Sequence, residues 1–96
     1  MAQFVMLLNW TQQGIKSAKD SVKRAAAARK AFEKSGAKIR ECLWTLGQYD
    51  LLLIVEAPSD EVVAALGIKL GMLGNVKSCT LPAYGEKEME AILKMV

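Results

Sequence analysis

Residues 49–61 read Tyr-Asp-Leu-Leu-Leu-Ile-Val-Glu-Ala-Pro-Ser-Asp-Glu, and this stretch decides the fold. The five aliphatic residues Leu51–Val55 are typical of a strand that meets apolar neighbours on both of its faces. Pro58 ends such a strand because it has no N–H to donate to a ladder. We therefore predict a strand over Tyr49–Ala57.

The residues after this strand carry the signals of a helix start. Ser59 can cap the helix, and Asp60 and Glu61 then fall in its first turn, where the helix dipole favours negative charge. The following residues are almost all apolar as far as Leu73, and Gly74-Asn75 is a typical helix stop. The sequence therefore predicts a strand followed directly by a mostly apolar helix.

Another strand is predicted over Ala37–Thr45, and a turn that contains Gly47-Gln48 separates it from the strand Tyr49–Ala57. The two strands are therefore predicted to form an antiparallel hairpin. A short loop would place Trp44 beside Leu51. Cys42 and Trp44 would then share a sheet face with Leu51, Leu53 and Val55, and the other face would hold Ile39, Leu43, Leu52 and Ile54.

The remaining segments complete a known order of elements. The apolar run Gln3–Asn9 predicts a first strand, and a short helical turn capped by Thr11 leads into a long helix that ends at Lys34. Val76–Pro82 predicts a fourth strand, and Glu86–Met95 a terminal helix. The order is βαββαβ with an extra C-terminal helix, so we predict an α+β, ferredoxin-like fold with a four-stranded antiparallel sheet.

The long helix is expected to pack through one face. Arg29 lies inside the apolar arc of that helix, and we expect its side chain to reach solvent. Arg24 lies outside the arc, where it could bind an anionic ligand or, as we favour, pair with Asp20 one turn earlier. On a wheel of about 100° per residue, the arc comprises Ala18, Val22, Ala25, Ala26 and Phe32.

The chain is short but rich in apolar residues. Its 96 residues are expected to form a single domain over 1–96, and 52% of them are hydrophobic, more than a monomer of this size buries easily. Helices would cover one face of the sheet and leave leucines on the other. We therefore expect a homodimer or higher homo-oligomer that closes a dimeric α/β barrel, although the terminal helix could instead cover its own sheet.

Charge is distributed unevenly along the chain. Nine of the 13 Lys and Arg residues lie within residues 16–40, and the net charge is +3. No aromatic residues interleave these charges and no helix-turn-helix pattern is present, so we interpret them as a solvated helix face and expect no nucleic-acid partner.

The cysteine and histidine content bears on location and chemistry. Cys42 and Cys79 lie in apolar strand segments and are predicted to be buried thiols in a reducing compartment. There is no histidine, so no metal site is expected, and no glycine-rich phosphate loop suggests a cofactor. Residues 1–9 do not resemble a secretory signal, and no apolar stretch is long enough to cross a bilayer. We expect a cytoplasmic protein without a membrane partner.

Several short motifs are spread over almost the whole chain. They are Leu7-Leu8-Asn9-Trp10-Thr11 with Gly14, Lys19-Asp20-Ser21 with Arg24, Gly47-Gln48-Tyr49-Asp50, Val55-Glu56-Ala57-Pro58, and Gly74-Asn75-Val76 leading to Thr80-Leu81. In their order and spacing these motifs resemble those of the GYD-domain proteins, which are related to the dimeric α/β-barrel superfamily. The resemblance implies a ferredoxin-like dimer, but it implies no activity.

Polar and aromatic residues gather where strands are predicted to leave the sheet, which is where binding residues often lie. The candidate ligand-binding residues are Asn9, Trp10, Arg24, Trp44, Tyr49 and Asp50. In a binding site the tryptophans would form an apolar wall and the polar groups would orient a ligand. In the structural alternative, Asp50 accepts hydrogen bonds from backbone amides of the turn, and the tryptophans pack in a core or an interface.

Three functions remain open on these residues. The first is a non-catalytic oligomeric module that binds a small molecule at the sheet or dimer interface. The second is a cofactor-independent enzyme of the oxygenase or isomerase type, for which Asp50 is the candidate base. The third is a purely structural interaction protein. No nucleophile and base stand at a recognisable spacing, so the sequence favours a protein without catalysis.

Overall fold

The computed structural model describes all residues from 1 to 96, and it contains one four-stranded antiparallel sheet. The spatial order of the strands is β2-β3-β1-β4, so the two central strands are the first and third along the chain. The predicted ferredoxin-like α+β fold is confirmed. The strands are β1 Ala2–Trp10, β2 Lys38–Trp44, β3 Leu51–Ala57 and β4 Val76–Ala83.

Four helices and a 3₁₀ turn at Ala18–Asp20 connect or follow these strands. Their bounds are α1 Gln12–Lys16, α2 Ser21–Lys34, α3 Asp60–Met72 and α4 Glu86–Leu93. Ser59 caps α3 as predicted, with its hydroxyl accepting a hydrogen bond from the Val62 amide at 3.3 Å. None of the helices has the length and apolarity that crossing a membrane requires.

The core lies between the sheet and the helices. Phe4, Met6 and Leu8 of β1 alternate with half-exposed residues, and each is at most 3% exposed. In the register of the two central strands they stand beside Val55, Leu53 and Leu51, respectively. Phe32 of α2 and Val63 and Leu66 of α3 close over them.

The other face of the sheet is apolar and has no cover. Its central strands present Val5, Leu7, Leu52 and Ile54, all half-buried, and its edge strands present Leu43 and Leu81, which are 51% and 45% exposed. We refer to these six residues as the open face. The helix α4 packs closely on no other element, and only Ile92 on it is even half-buried. It therefore does not cover its own sheet.

Cys79 lies on the same face as these residues, beside Leu7 in the β1–β4 register. It is exposed, and Cys42 is half-buried, so the prediction of two buried thiols was wrong. The prediction failed for Cys79 because an apolar strand segment buries only the side chains that face the helices.

The hairpin pairs as predicted at its turn but not along its whole length. Trp44 stands beside Leu51, whereas a register shift between Ile39 and Glu41 places Ile39 beside Val55. Ile39 therefore lies in the core, and its predicted position on the opposite face was wrong. A bulge inserts one extra residue and reverses the alternation of side chains beyond it.

An ion pair joins the two strands of the hairpin at the bulge. The Arg40 Nε donates to Glu56 Oε1 at 2.7 Å and to Oε2 at 3.1 Å. This hydrogen bond from Arg40 lowers the pKa of the Glu56 carboxyl below its ordinary value. The pair is exposed and adds little stability.

The packed face of α2 differs from the predicted arc. Ser21 and Phe32 are buried and Ala28 is half-buried, whereas Val22 is 68% exposed and Ala26 is exposed. A helical wheel finds the most apolar arc, but the docking of this helix also depends on a polar contact. The Trp44 indole Nε1 donates to the Ser21 hydroxyl at 2.8 Å, and this bond turns Ser21 rather than Val22 toward the sheet.

Candidate functional site

A cavity of about 570 Å³ lies on the helix side of the sheet, between α2 and α3. Its floor includes Leu8, Leu51 and Leu53, and 16 of its 21 lining residues are hydrophobic. This volume falls within the usual range for small-molecule sites. The cavity is the main concave feature of the chain.

The composition of α2 explains why the space is not filled. Four of its alanines line the cavity, and α2 makes little direct contact with α3. An alanine side chain ends at Cβ, so it cannot reach the larger side chains of the facing helix, such as Leu66 and Leu70. The lining alanines are Ala25, Ala27, Ala28 and Ala31.

The charged groups around the cavity are all cationic. Arg24 and Arg29 line it from α2 and Lys69 lines it from α3, and no Asp or Glu is among the lining residues. Because the wall is otherwise apolar, these cations meet little competing negative charge. The cavity is therefore suited to an apolar molecule that carries a negative group.

Arg24 is held in place by backbone oxygens rather than by an acid. Its Nη1 donates to the Ser17 carbonyl at 2.9 Å and to the Ser17 hydroxyl at 3.0 Å, and its Nη2 donates to the Gly14 carbonyl at 3.2 Å. The predicted ion pair with Asp20 is absent. The carbonyls at the end of α1 lie closer to the guanidinium, so they replace the acid as its partners.

Arg29 is exposed, as predicted, but its guanidinium is also held by the backbone. Its Nη1 donates to the carbonyl of Ile39 at 2.8 Å, which fixes the guanidinium between α2 and β2. The β-bulge of β2 begins directly after Ile39, the residue whose carbonyl accepts this hydrogen bond. This bond holds the Arg29 guanidinium at the border of the cavity. The other N–H groups of the guanidinium have no hydrogen-bond partner in the chain.

Cys42 of β2 also lines the cavity, close enough to Arg29 to feel its charge. Burial raises the pKa of its thiol, and the nearby charge of Arg29 lowers it only in part. The thiol is therefore protonated at neutral pH and is a poor nucleophile. No group of three or more His, Cys, Asp or Glu side chains is placed to hold a metal ion.

Trp10 lines the cavity at the end of β1. Its indole Nε1 is buried without a hydrogen-bond partner, which is the one such side-chain atom in the chain. Leaving a buried donor unpaired costs about 1–3 kcal/mol. The atom has no surface that a molecule in the cavity could contact, so this cost belongs to the fold, and Trp10 contributes an apolar ring to the wall.

The other predicted site residues are divided between the helix side and the hairpin. Trp44 bonds to Ser21 and does not line the cavity. The Asn9 side-chain amide donates to the Gln48 carbonyl at 2.6 Å, and the Tyr49 carbonyl accepts from the Thr45 hydroxyl at 2.6 Å. Of the six candidates, Trp10 and Arg24 alone come together at the cavity.

Asp50 links the hairpin to β1. Its Oδ2 accepts a hydrogen bond from the Trp10 backbone amide at 2.8 Å, and its own amide donates to the Leu8 carbonyl at 2.8 Å. The structural interpretation predicted a bond to amides of the turn, but the carboxylate reaches a different strand. This bond extends the β1–β3 pairing beyond Leu8 and Leu51, where the ladder ends.

We expect Asp50→Ala to lower the free energy of unfolding by about 1–3 kcal/mol, because it leaves the half-buried Trp10 amide without an acceptor. Asp50→Asn keeps an oxygen at the same position and should cost less than half as much. Urea unfolding followed by circular dichroism measures both variants. Equal stability of Asp50→Ala and wild type would show that the bond contributes nothing.

The fold and cavity define this chain as a ferredoxin-like α+β domain with an apolar pocket between its helices. The family model for the GYD domain matches residues 4–93. The chain therefore belongs to the GYD domain family. No curated protein and no solved structure matches it significantly.

Proposed function

We propose that the chain is a non-catalytic binding protein that holds a small apolar molecule in the cavity between α2 and α3. The observation that carries this proposal is the apolar cavity of about 570 Å³ over the core leucines. Burial of apolar ligand surface contributes roughly 25 cal/mol per Å², so a cavity of this size can provide useful affinity. In this proposal the ligand lies on the helix side of the sheet, whereas the sequence analysis expected it at the sheet or dimer interface.

The chemistry of the lining supports binding rather than catalysis. Its ionisable groups are three cations and the protonated thiol of Cys42, none of which is suited to abstract a proton at neutral pH. Asp50, the candidate base, does not line the cavity, and its carboxylate is engaged by the Trp10 amide. The enzyme hypothesis therefore has no base at the site.

Binding can be tested with the neutral apolar dye Nile red and a variant that fills the cavity. We expect saturable binding to wild type with one dye per chain, and at least tenfold weaker binding to Ala28→Leu. Ala26→Leu is the matched control, because Ala26 lies on the same helix but is exposed and does not line the cavity. Absence of saturable binding to wild type, or equal binding by Ala28→Leu, would contradict the proposal.

Cys42 offers an independent readout of the same cavity. Because it lines the cavity and Cys79 does not, bound dye should slow the alkylation of Cys42 by iodoacetamide and leave Cys79 unaffected. Mass spectrometry of the two peptides measures both rates in one sample. Equal protection of both thiols would indicate binding elsewhere or general stabilisation.

We further propose that two copies of the chain pair through their open faces. Only 14 of the 96 residues are buried in the single chain, although 52% are hydrophobic. Six aliphatic side chains occupy the open face, and α4 does not cover them. Burying each such side chain stabilises by about 1.5–3 kcal/mol, so pairing with a second copy is favourable.

Sedimentation equilibrium tests this pairing directly. Wild type is expected to sediment with twice the mass of one chain at micromolar concentration, and Leu43→Glu with Leu81→Glu should shift it to the monomer. Ile68→Glu is the control, since Ile68 is 65% exposed on α3, away from the open face. A monomeric wild type would overturn the pairing without bearing on the cavity.

A further inference from the structure

We infer that the ligand of the cavity is an amphipathic carboxylic acid whose apolar part lies over the core leucines and whose carboxylate meets the cationic border. This inference rests on the proposed function and specifies its ligand class. Three observations carry it: the cations on both helices, the absence of acids among the lining residues, and the apolar character of the remaining wall.

The cations stand on both helices that border the cavity. Arg29 is anchored by the Ile39 carbonyl through one nitrogen, and its remaining N–H groups are available for a carboxylate. Lys69 lies on the facing helix and forms no hydrogen bond or ion pair within the chain. A carboxylate bound in the cavity could therefore accept a charge-assisted hydrogen bond from a cation of either helix, whereas a neutral head group would gain no such bond.

The apolar remainder of the lining determines the rest of the ligand. Only five of the 21 lining residues are polar or charged, and Leu53, Leu66 and Phe32 of the core are among the others. A small hydrophilic anion such as phosphate would lose its hydration against this wall and gain few bonds in return. The lining therefore selects a molecule that has one charged end and an apolar body.

Arg24 adds a third positive charge at the β1 end of the cavity. Arg24 uses its Nη groups on Gly14 and Ser17, but its charge is not neutralised by an acid. Because no acid of the chain offsets this charge, it strengthens the attraction of the cavity for an anionic group.

The decisive test compares cis-parinaric acid with its methyl ester, which has the same polyene chain and no charge. We expect the acid to bind wild type at least about tenfold more tightly, which is the effect of a charge-assisted hydrogen bond. Tight and equal binding of acid and ester would overturn the inference and leave the proposed function standing. Binding of neither probe, with no Nile red binding, would overturn both.

Variants of Lys69 assign the charge effect to the cavity. Lys69→Gln should weaken binding of the acid about threefold and Lys69→Glu about tenfold, with the ester unchanged. Lys30→Gln is the matched control, because Lys30 is an exposed lysine of α2 that does not line the cavity. If Lys30→Gln weakens the acid as much as Lys69→Gln, the attraction comes from the general basic surface and the inference is wrong.

Competition distinguishes aliphatic from aromatic acids. Decanoate and 1-naphthylacetate share the carboxylate and differ in the shape of the apolar body, so each is titrated against bound parinaric acid. Displacement by either acid supports the inference, and the tighter competitor identifies the preferred body. Displacement by decanol as effective as that by decanoate would count against a role for the carboxylate.

Discussion

Phe32→Ala is expected to lower the free energy of unfolding by about 3–5 kcal/mol. Phe32 is 1% exposed and is one of the largest fully buried side chains, packed between α2 and the helix side of the sheet. Its removal deletes the main apolar anchor of α2, because the neighbouring residues on that face are alanines and a serine. A domain of this size is marginally stable, so the loss would leave a large unfolded fraction.

Val22→Ala is the control for this prediction. Val22 lies on the same helix, and the helical wheel put it on the same apolar arc as Phe32, but it is 68% exposed. The substitution Val22→Ala should therefore lower the free energy of unfolding by less than about 0.5 kcal/mol. Urea unfolding of both variants, at one protein concentration because the chain is proposed to dimerise, measures the difference. Similar losses for Val22 and Phe32 would contradict the observed orientation of α2.

Gly14→Ala is expected to lower the free energy of unfolding by about 3 kcal/mol, because the added Cβ would clash with the backbone. Gly14 is buried in α1, and a Cβ at this position would overlap the carbonyl oxygen of Asn75 and lie 2.8 Å from its carbonyl carbon. That same oxygen accepts the Thr11 amide at 3.1 Å, and the Thr11 hydroxyl donates to Gly74 at 2.6 Å. Relief of the clash would therefore break the contact between α1 and the start of β4.

Gly71→Ala is the matched control for this substitution. Gly71 lies inside α3, where an added Cβ meets no atom within 4 Å. Alanine has the higher helix propensity, so we expect stabilisation by about 0.5–1 kcal/mol. Thermal unfolding distinguishes the two variants by opposite signs. A Gly14→Ala protein as stable as wild type would mean that α1 can move away from Asn75 at no cost.

The fold was predictable because its signals are local. The aliphatic run of β3, the stop at Pro58 and the cap at Ser59 each act over a few residues, and the structure has the strand and helix where these signals place them. The order of elements then restricts the possible topologies to a few. The GYD resemblance agreed with this interpretation and was confirmed over residues 4–93.

The errors arose where long-range contacts override local pattern. The bulge at Arg40 reversed the side of Ile39, and no local sequence signal marks the place where an extra residue enters a strand. The Trp44–Ser21 bond changed the packed face of α2, and it joins residues that are 23 positions apart. Arg24 and Arg29 likewise found backbone carbonyls as partners, which no pattern of charged residues reveals.

The cavity was the main feature that sequence reasoning missed, although a signal for it was present. The run Ala25–Ala28 lies on a helix that must pack beside the leucine-rich α3. A run of small residues facing large ones indicates either close helix packing or an unfilled space. The choice between them depends on the distance between the helices, which is set by how each one rests on the sheet.

The amino-acid sequence by itself determined the class of fold, the family and the excess of apolar surface, because capping residues, strand runs and composition act locally or as sums over the chain. Only the tertiary structure decided which side of the sheet holds a pocket and which cations border it. A pocket is the volume left between elements after they pack. It therefore depends on the register, the bulge and the helix orientation together, and each of these is settled by contacts between residues far apart along the chain.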